Sequence, residues 1–270
     1  MKNQFDARTD GKWLGSKYPI IQGAMAGIAN ADFVLEMDKN GILGTLSTYG
    51  LSPKECQQEI EKLKKTGIRF ACNLMLKHPD IEEFANIMIA EKVPIVTLSA
   101  GYRPEIVKQL KMAGVIILAV VGSPKQAKKI ADLDVDIIIA EGLESGGHIG
   151  KYSTEELVEI LVHTLDKPII AAGGISDYEG LQHFLEKGAI GIQIGTPLLL
   201  TTESPLPLQQ KEKIAAAEPS DIVVITGDIG LEIRGINDHE SFIPCGISAG
   251  KLDSIVSVKE RIEKLVQQRV

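Results

Sequence analysis

The stretch Val115-Ile-Ile-Leu-Ala-Val-Val-Gly-Ser-Pro-Lys-Gln126 decides the fold. Its first seven residues are all apolar, with no polar residue at alternate positions. A strand buried on both faces reads this way, and parallel strands lying under helices are buried on both faces. After one glycine, Ser123 supplies a helix cap, Pro124 a first helical residue, and Gln126 a side chain that can reach back to the cap.

The same unit recurs in both directions along the chain. Apolar runs lie at Pro19–Met25, Ile42–Thr48, Arg69–Leu76, Pro94–Ala100, Val115–Val121, Asp136–Glu141, Pro168–Ala172 and Ala189–Gly195. Charge-rich amphipathic segments separate them. Ser52-Pro-Lys-Glu55 and Ser153-Thr-Glu-Glu156 repeat the capping-box grammar, and Gly67, Gly114 and Gly188 sit where helices should stop. Eight strand–helix units in about 200 residues predict a (β/α)8 TIM barrel. An open doubly wound sheet is the alternative, but Gln22-Gly-Ala-Met-Ala-Gly27 lacks the spacing of a dinucleotide fingerprint. We expect one domain over residues 1–270, with the barrel at about 15–217 and an extension at 218–270. Residues 205–250 hold four prolines and read as loops and short elements. Lys251–Val270 reads as a closing helix with Ile255, Val258, Ile262, Leu265 and Val266 on one face.

Composition bounds the partners. The chain has 270 residues, 44% hydrophobic and 24% charged, which is ordinary for a globular protein. A net charge of −7 argues against nucleic acid or an anionic membrane surface as the main partner. A local basic pocket for a phosphate or for an acidic carrier protein stays compatible with that charge. Cys56, Cys72 and Cys245 are odd in number and widely spaced, so neither a disulfide framework nor a metal site is expected, and a reducing compartment fits. Met1–Asp10 is polar and lacks the apolar core of a signal peptide. The expectation is a cytoplasmic protein.

The unusual residues follow the strands, where barrel sites are built. Gly23-Ala24-Met25 ends the first run, and Asn73 interrupts the third. The sixth ends in Glu141-Gly-Leu-Glu-Ser-Gly146-Gly147-His148-Ile-Gly150. The seventh ends in Ala172-Gly173-Gly174, the eighth in Gly195-Thr196. Glycine turns on two adjacent strands expose backbone N–H groups at the corner where barrels hold phosphate, and Thr196 adds a hydroxyl. His148, in a glycine-rich loop, is the candidate acid or base. The other four histidines, His78, His163, His183 and His239, read as surface or core residues. Glu141 is either a structural carboxylate or a site group. Asn73 either bridges strands or bonds a ligand. Cys72 reads as packing.

These motifs resemble the nitronate monooxygenase superfamily, which also holds the flavin-dependent type II enoyl-acyl carrier protein reductases. The resemblance rests on Pro19-Ile-Ile-Gln-Gly-Ala-Met-Ala-Gly27, Asn73-Leu-Met75, Ile139–Gly150, Pro168–Ile175, Gly195-Thr196 with Glu203-Ser204, and more weakly Arg234-Gly-Ile-Asn237. It implies a TIM barrel, one FMN, and NADH or NADPH as electron donor. It implies that Gly23, Ala24, Met25, Asn73, Glu141, Gly146, Gly147, Ala172, Gly173, Gly174, Gly195 and Thr196 surround the flavin, with His148 at the substrate. The activity it implies first is reduction of an enoyl thioester, because Glu141 matches the reductase branch. The alternatives are a nitronate monooxygenase using O2 and a flavin-binding protein without turnover. The partners implied are a small molecule or an acyl thioester, with acyl carrier protein as its carrier; a homodimer is compatible. The sequence departs from the family at Asp38-Lys-Asn-Gly-Ile42, at Pro197, at Gly101-Tyr-Arg-Pro104 and after Asn237.

Overall fold

A computed structural model describes residues 14–227, 232–238 and 241–267. All eight apolar runs form parallel strands of one sheet: β1 (Ile20–Gln22), β2 (Thr45–Ser47), β3 (Ala71–Met75), β4 (Ile95–Ser99), β5 (Ile116–Val121), β6 (Ile137–Glu141), β8 (Ile169–Ala172) and β9 (Gly191–Ile194). The helices between them are α1 (Ala31–Lys39), α2 (Pro53–Thr66), α3 (Ile81–Ala90), α4 (Pro104–Met112), α5 (Pro124–Ala131), α6 (Thr154–Thr164) and α7 (Tyr178–Glu186). The order β1-β9-β8-β6-β5-β4-β3-β2 becomes a ring where β1 meets β2. Leu43 N–H donates to Ile20 O at 3.0 Å and Gln22 N–H to Leu43 O at 2.9 Å. One step further the backbones part, and the Gln22 side-chain oxygen accepts from Thr45 N–H at 3.1 Å in place of a carbonyl. This is a TIM barrel.

Period-two alternation sorts its core into two shells. Ile21, Leu43, Ala71, Ile95, Leu118, Ile137, Ile139, Ile170 and Ala172 fill the inside. Ile20, Leu46, Cys72, Val96, Ile117, Ile138 and Ile192 face outward onto the helices. The apolar runs read as unbroken because both shells are dry. Ser52 and Glu55 form the expected reciprocal cap, which contributes about 1 kcal/mol. The other two boxes are only half made. Ser123 and Ser153 cap their helices, but the Gln126 side chain accepts from Gly122 N–H instead of the cap's own amide.

The C-terminal part is more regular than loops. After α8 (Thr196–Leu199) and α9 (Leu208–Ala215), the strands β10 (Ile222–Thr226), β11 (Glu232–Asp238) and β12 (Ser241–Pro244) build an antiparallel sheet. Leu199, Leu200, Leu206, Ile214, Ile236, Ile243 and Leu252 form its separate core. Four prolines hid this sheet, since they fall at its margins and before α9. The closing helix α10 is shorter than expected, Val258–Val266; residues 268–270 lie outside the described ones. It buries Val258, Ile262 and Leu265, and also Arg261, whose guanidinium donates to Ser254 O at 2.8 Å. Among the described residues no helix is long and apolar enough to cross a membrane.

Candidate active site

Toward the C-terminal end of the barrel the inward positions turn polar. Two residues beyond Ala71, Ile95 and Ile139 lie Asn73, Thr97 and Glu141, and Gln193 occupies the same face of β9. Asn73 bridges strands: its Nδ2 donates to Thr97 Oγ1 at 3.0 Å and lies 3.3 Å from Ser99 Oγ. Its carbonyl side chain keeps only a 3.4 Å contact with Ser99, so it retains acceptor capacity toward the mouth. Glu141 accepts no hydrogen bond from any described residue. Burial pushes its carboxyl up to about 7. The strand positions Gln193, Thr97 and Ser99 escaped the sequence reading. Counting back by two from Gly195 and forward by two from Ile95 would have found them.

His148 is held by strand pairing. Gly147–His148 form the two-residue strand β7, with Ile233 of β11 opposite His148 and Arg234 opposite Gly147. Ile149 N–H extends the ladder to Glu232 O at 3.1 Å. The glycine-rich loop read from the sequence is thus partly a strand, whose pairing partner lies 85 residues further along the chain. The flanking glycines serve protein packing as well. A Cβ on Gly146 would lie 2.5 Å from the Cys245 backbone, and one on Gly150 would lie 2.5 Å from Gly122 O. Only at Gly147, with φ +69°, is the adjoining space open. His148 is exposed. Partial burial, and after it the positive charge of Lys77, hold its pKa below the ordinary histidine range. Lys77 follows β3, three strands away in the ring.

The glycine corner lies under that same loop. Gly173 and Gly174 have φ of +115° and +74°. The N–H groups of Gly173, Gly174, Gly195 and Thr196 donate to no described residue. The buried Ser145 hydroxyl also has no partner among the described residues, and its amide nitrogen lies 3.0 Å from where a Gly173 Cβ would be. Free amides and an unpaired hydroxyl fit a phosphate. Met25 rests beside Gly195, its sulfur 3.7 Å from the position of a Cβ there, and Gly23 backs onto Gln193. Ala24 is half-buried in the same first loop. Ala172 lines the barrel interior below.

Glu144, which the sequence reading left without a role, organises the corner. Its carboxylate accepts from Thr154 N–H at 2.6 Å and from Thr154 Oγ1 at 2.7 Å, so its charge sits on the N-terminus of α6. A Gly174 Cβ would lie 2.9 Å from the Glu144 Cβ, and Ile247 N–H donates to Glu144 O at 3.1 Å. Thr196 Oγ1 accepts from Gly246 N–H at 2.8 Å. The C-terminal extension thus touches the corner directly. Away from the site, Cys72 is buried, with its thiol raised well above the ordinary range by burial. His78 packs edge-on against Phe84, His163 bonds the Glu159 carbonyl, and His183 sits 3.6 Å from Glu155. His239 lies outside the described residues.

A family model described as nitronate monooxygenase matches residues 82–240. The chain belongs to the nitronate monooxygenase family. A Rhodococcus jostii relative, (3aS,4S,5R,7aS)-5-hydroxy-7a-methyl-1-oxo-octahydro-1H-indene-4-carboxyl-CoA dehydrogenase, is 32% identical over 225 residues. That match covers 83% of this chain and 64% of the relative, so this nitronate monooxygenase family member spans a little under two thirds of it. A "Probable nitronate monooxygenase" of Staphylococcus saprophyticus is 28% identical over 84% of this chain and 77% of its own length. Among solved structures, FabK from Thermotoga maritima superposes with a TM-score of 0.91 at 29% identity, covering 95% of this chain and 94% of FabK. A nitroalkane oxidase from Streptomyces ansochromogenes gives a TM-score of 0.85 at 20% identity over 92% and 94% of the two chains, and shares the fold.

Proposed function

We propose that this family member is an FMN-dependent enzyme that reduces an enoyl thioester with electrons from NADH or NADPH. The chain is an oxidoreductase by family. The observation that carries the rest is His148, held by strand pairing in the loop that lies over a corner where four amides donate to no described residue. Those amides, with the Ser145 hydroxyl, would hold the phosphate of FMN, while Asn73, Glu141, Met25, Gly146 and Gly147 would line its ring and ribityl chain. When bound, the flavin supplies hydride transfer between the nicotinamide and the substrate.

The chain's own residues supply binding, orientation and proton handling. His148, neutral at physiological pH because its pKa is lowered, accepts or delivers a proton at the substrate. Glu141, with a pKa near 7 and no donor among the described residues, stays largely protonated at slightly acid pH and can then donate a hydrogen bond in the barrel mouth. The Glu144–Thr154 contact fixes the loop between them. Two relationships support a thioester. FabK, an enoyl-acyl carrier protein reductase, aligns over nearly the whole chain, and the Rhodococcus jostii relative is named for a carboxyl-CoA substrate. Coenzyme A and acyl carrier protein are the two carriers this reading allows.

The family model and the staphylococcal relative favour a second reading, oxidation of an alkyl nitronate with O2, in which neutral His148 is the base on a nitroalkane. The separating experiment is NADH oxidation with and without a crotonyl thioester, set against oxygen uptake with a nitronate. Thioester-dependent NADH oxidation supports the reductase. Oxygen uptake with nitronate and no response to thioester refutes it. Mass spectrometry of the released cofactor tests FMN; FAD, or no flavin after reconstitution, refutes that part.

A further inference from the structure

The loop that carries His148 is anchored from outside the barrel, and one residue holds both of its limbs. Arg234 lies in the middle of β11. Its backbone pairs with Gly147, and its side-chain Nε–H donates to Leu143 O at 3.0 Å. The outgoing limb at Leu143 and the returning limb at Gly147 are therefore tied to the same residue. On one side of Arg234, Ile233 lies opposite His148 and Glu232 O accepts from Ile149 N–H. On the other, Gly235 pairs with Pro244 of β12, so closely that a Cβ on Gly235 would lie 2.3 Å from Ile243 O. A guanidinium has a planar, fixed donor geometry, so the Nε–H bond sets the loop's orientation as well as its distance.

We propose that Arg234 is the positioning residue for His148, clamping Leu143 and Gly147 so that the imidazole stays over the barrel mouth. The inference rests on the reading of His148 as the proton-handling group. Arg234 does not touch the reacting atoms in this scheme. Misplacing a reacting group by about 1 Å costs on the order of a hundredfold in rate.

The test uses the full flavin-loaded chain and three variants: Arg234→Met, Arg234→Lys and His148→Ala. Lysine keeps the charge and lacks the Nε–H. Both Arg234 variants are expected to keep flavin content and to lose turnover about ten- to hundredfold, with KM little changed. Amide exchange at Ile149 should quicken, and adding Arg234→Met to His148→Ala should cost nothing further. Turnover within about twofold of the parent in both Arg234 variants overturns the proposal. So does a loss that only follows a drop in melting temperature. If His148→Ala itself turns over normally, the reading of His148 fails. Exchange at Ile149 then still decides the clamp, and an unchanged rate in Arg234→Met overturns it.

Discussion

Replacing Glu141 with glutamine should change how stability depends on pH, by an amount the structure sets. The Glu141 carboxyl is half-buried at the end of β6, accepts no hydrogen bond from a described residue, and has its pKa raised by desolvation from 4.5 to about 7. The folded state therefore holds this proton more tightly than the unfolded state. Stability from that proton is complete below about pH 4.5, falls as the pH rises, and is gone once the pH passes the folded value near 7. Each pKa unit corresponds to 1.36 kcal/mol, so the full swing is roughly 3 kcal/mol. Glutamine has nearly the same shape and does not titrate. The expectation is that flavin-free Glu141→Gln gains roughly 2.5 kcal/mol over the parent between pH 5 and pH 8.5, on the order of 5 °C in melting temperature for a chain this long. Taking the difference between the two pH values cancels the cost of burying the amide and the titration of His148, which both proteins share. The assay is thermal unfolding of both flavin-free proteins across that range. Parallel pH profiles would refute the reasoning, because they would mean that Glu141 titrates as an ordinary solvated carboxylate.

Three further outcomes follow from the site. His148→Ala should retain FMN and lose turnover by about 10²–10⁴-fold, measured with flavin content and melting temperature on one preparation; normal turnover in a fully flavinated variant removes His148 from the mechanism. Gly174→Val should lose flavin and still fold, since its Cβ meets Glu144 at 2.9 Å and its φ of +74° disfavours a branched residue; unchanged affinity for FMN would place the phosphate elsewhere. Thr154→Val removes a hydroxyl donor from the Glu144 carboxylate and should cost about 1.5–3 kcal/mol of stability by denaturant unfolding; a change below about 0.5 kcal/mol would mean that Thr154 N–H alone holds Glu144.

The barrel was legible in the sequence because each of its strands is buried on both faces, and such strands are written as short apolar runs whose meaning is local. Caps and helix ends are local too, so Ser52, Ser123 and Ser153 each begin a helix as expected. The glycine turns at Gly173-Gly174 and Gly195-Thr196 could be placed because fold and strand order together fix which end of the barrel they occupy. The sequence could not say where a side chain spends its hydrogen bonds. Asn73 and Glu141 each had two readings, and only tertiary packing gave Asn73 its neighbours on β4 and left Glu141 without a donor among the described residues. Nor could it show that His148 belongs to a strand. A two-residue strand has no periodicity of its own, and its partner β11 is brought alongside only by the folded C-terminal extension. The apolar pattern determined the scaffold and the end at which chemistry would sit. The path of the chain after α9 decided how His148 and the Glu144 loop are held there, because contacts between residues distant in sequence carry no local signature.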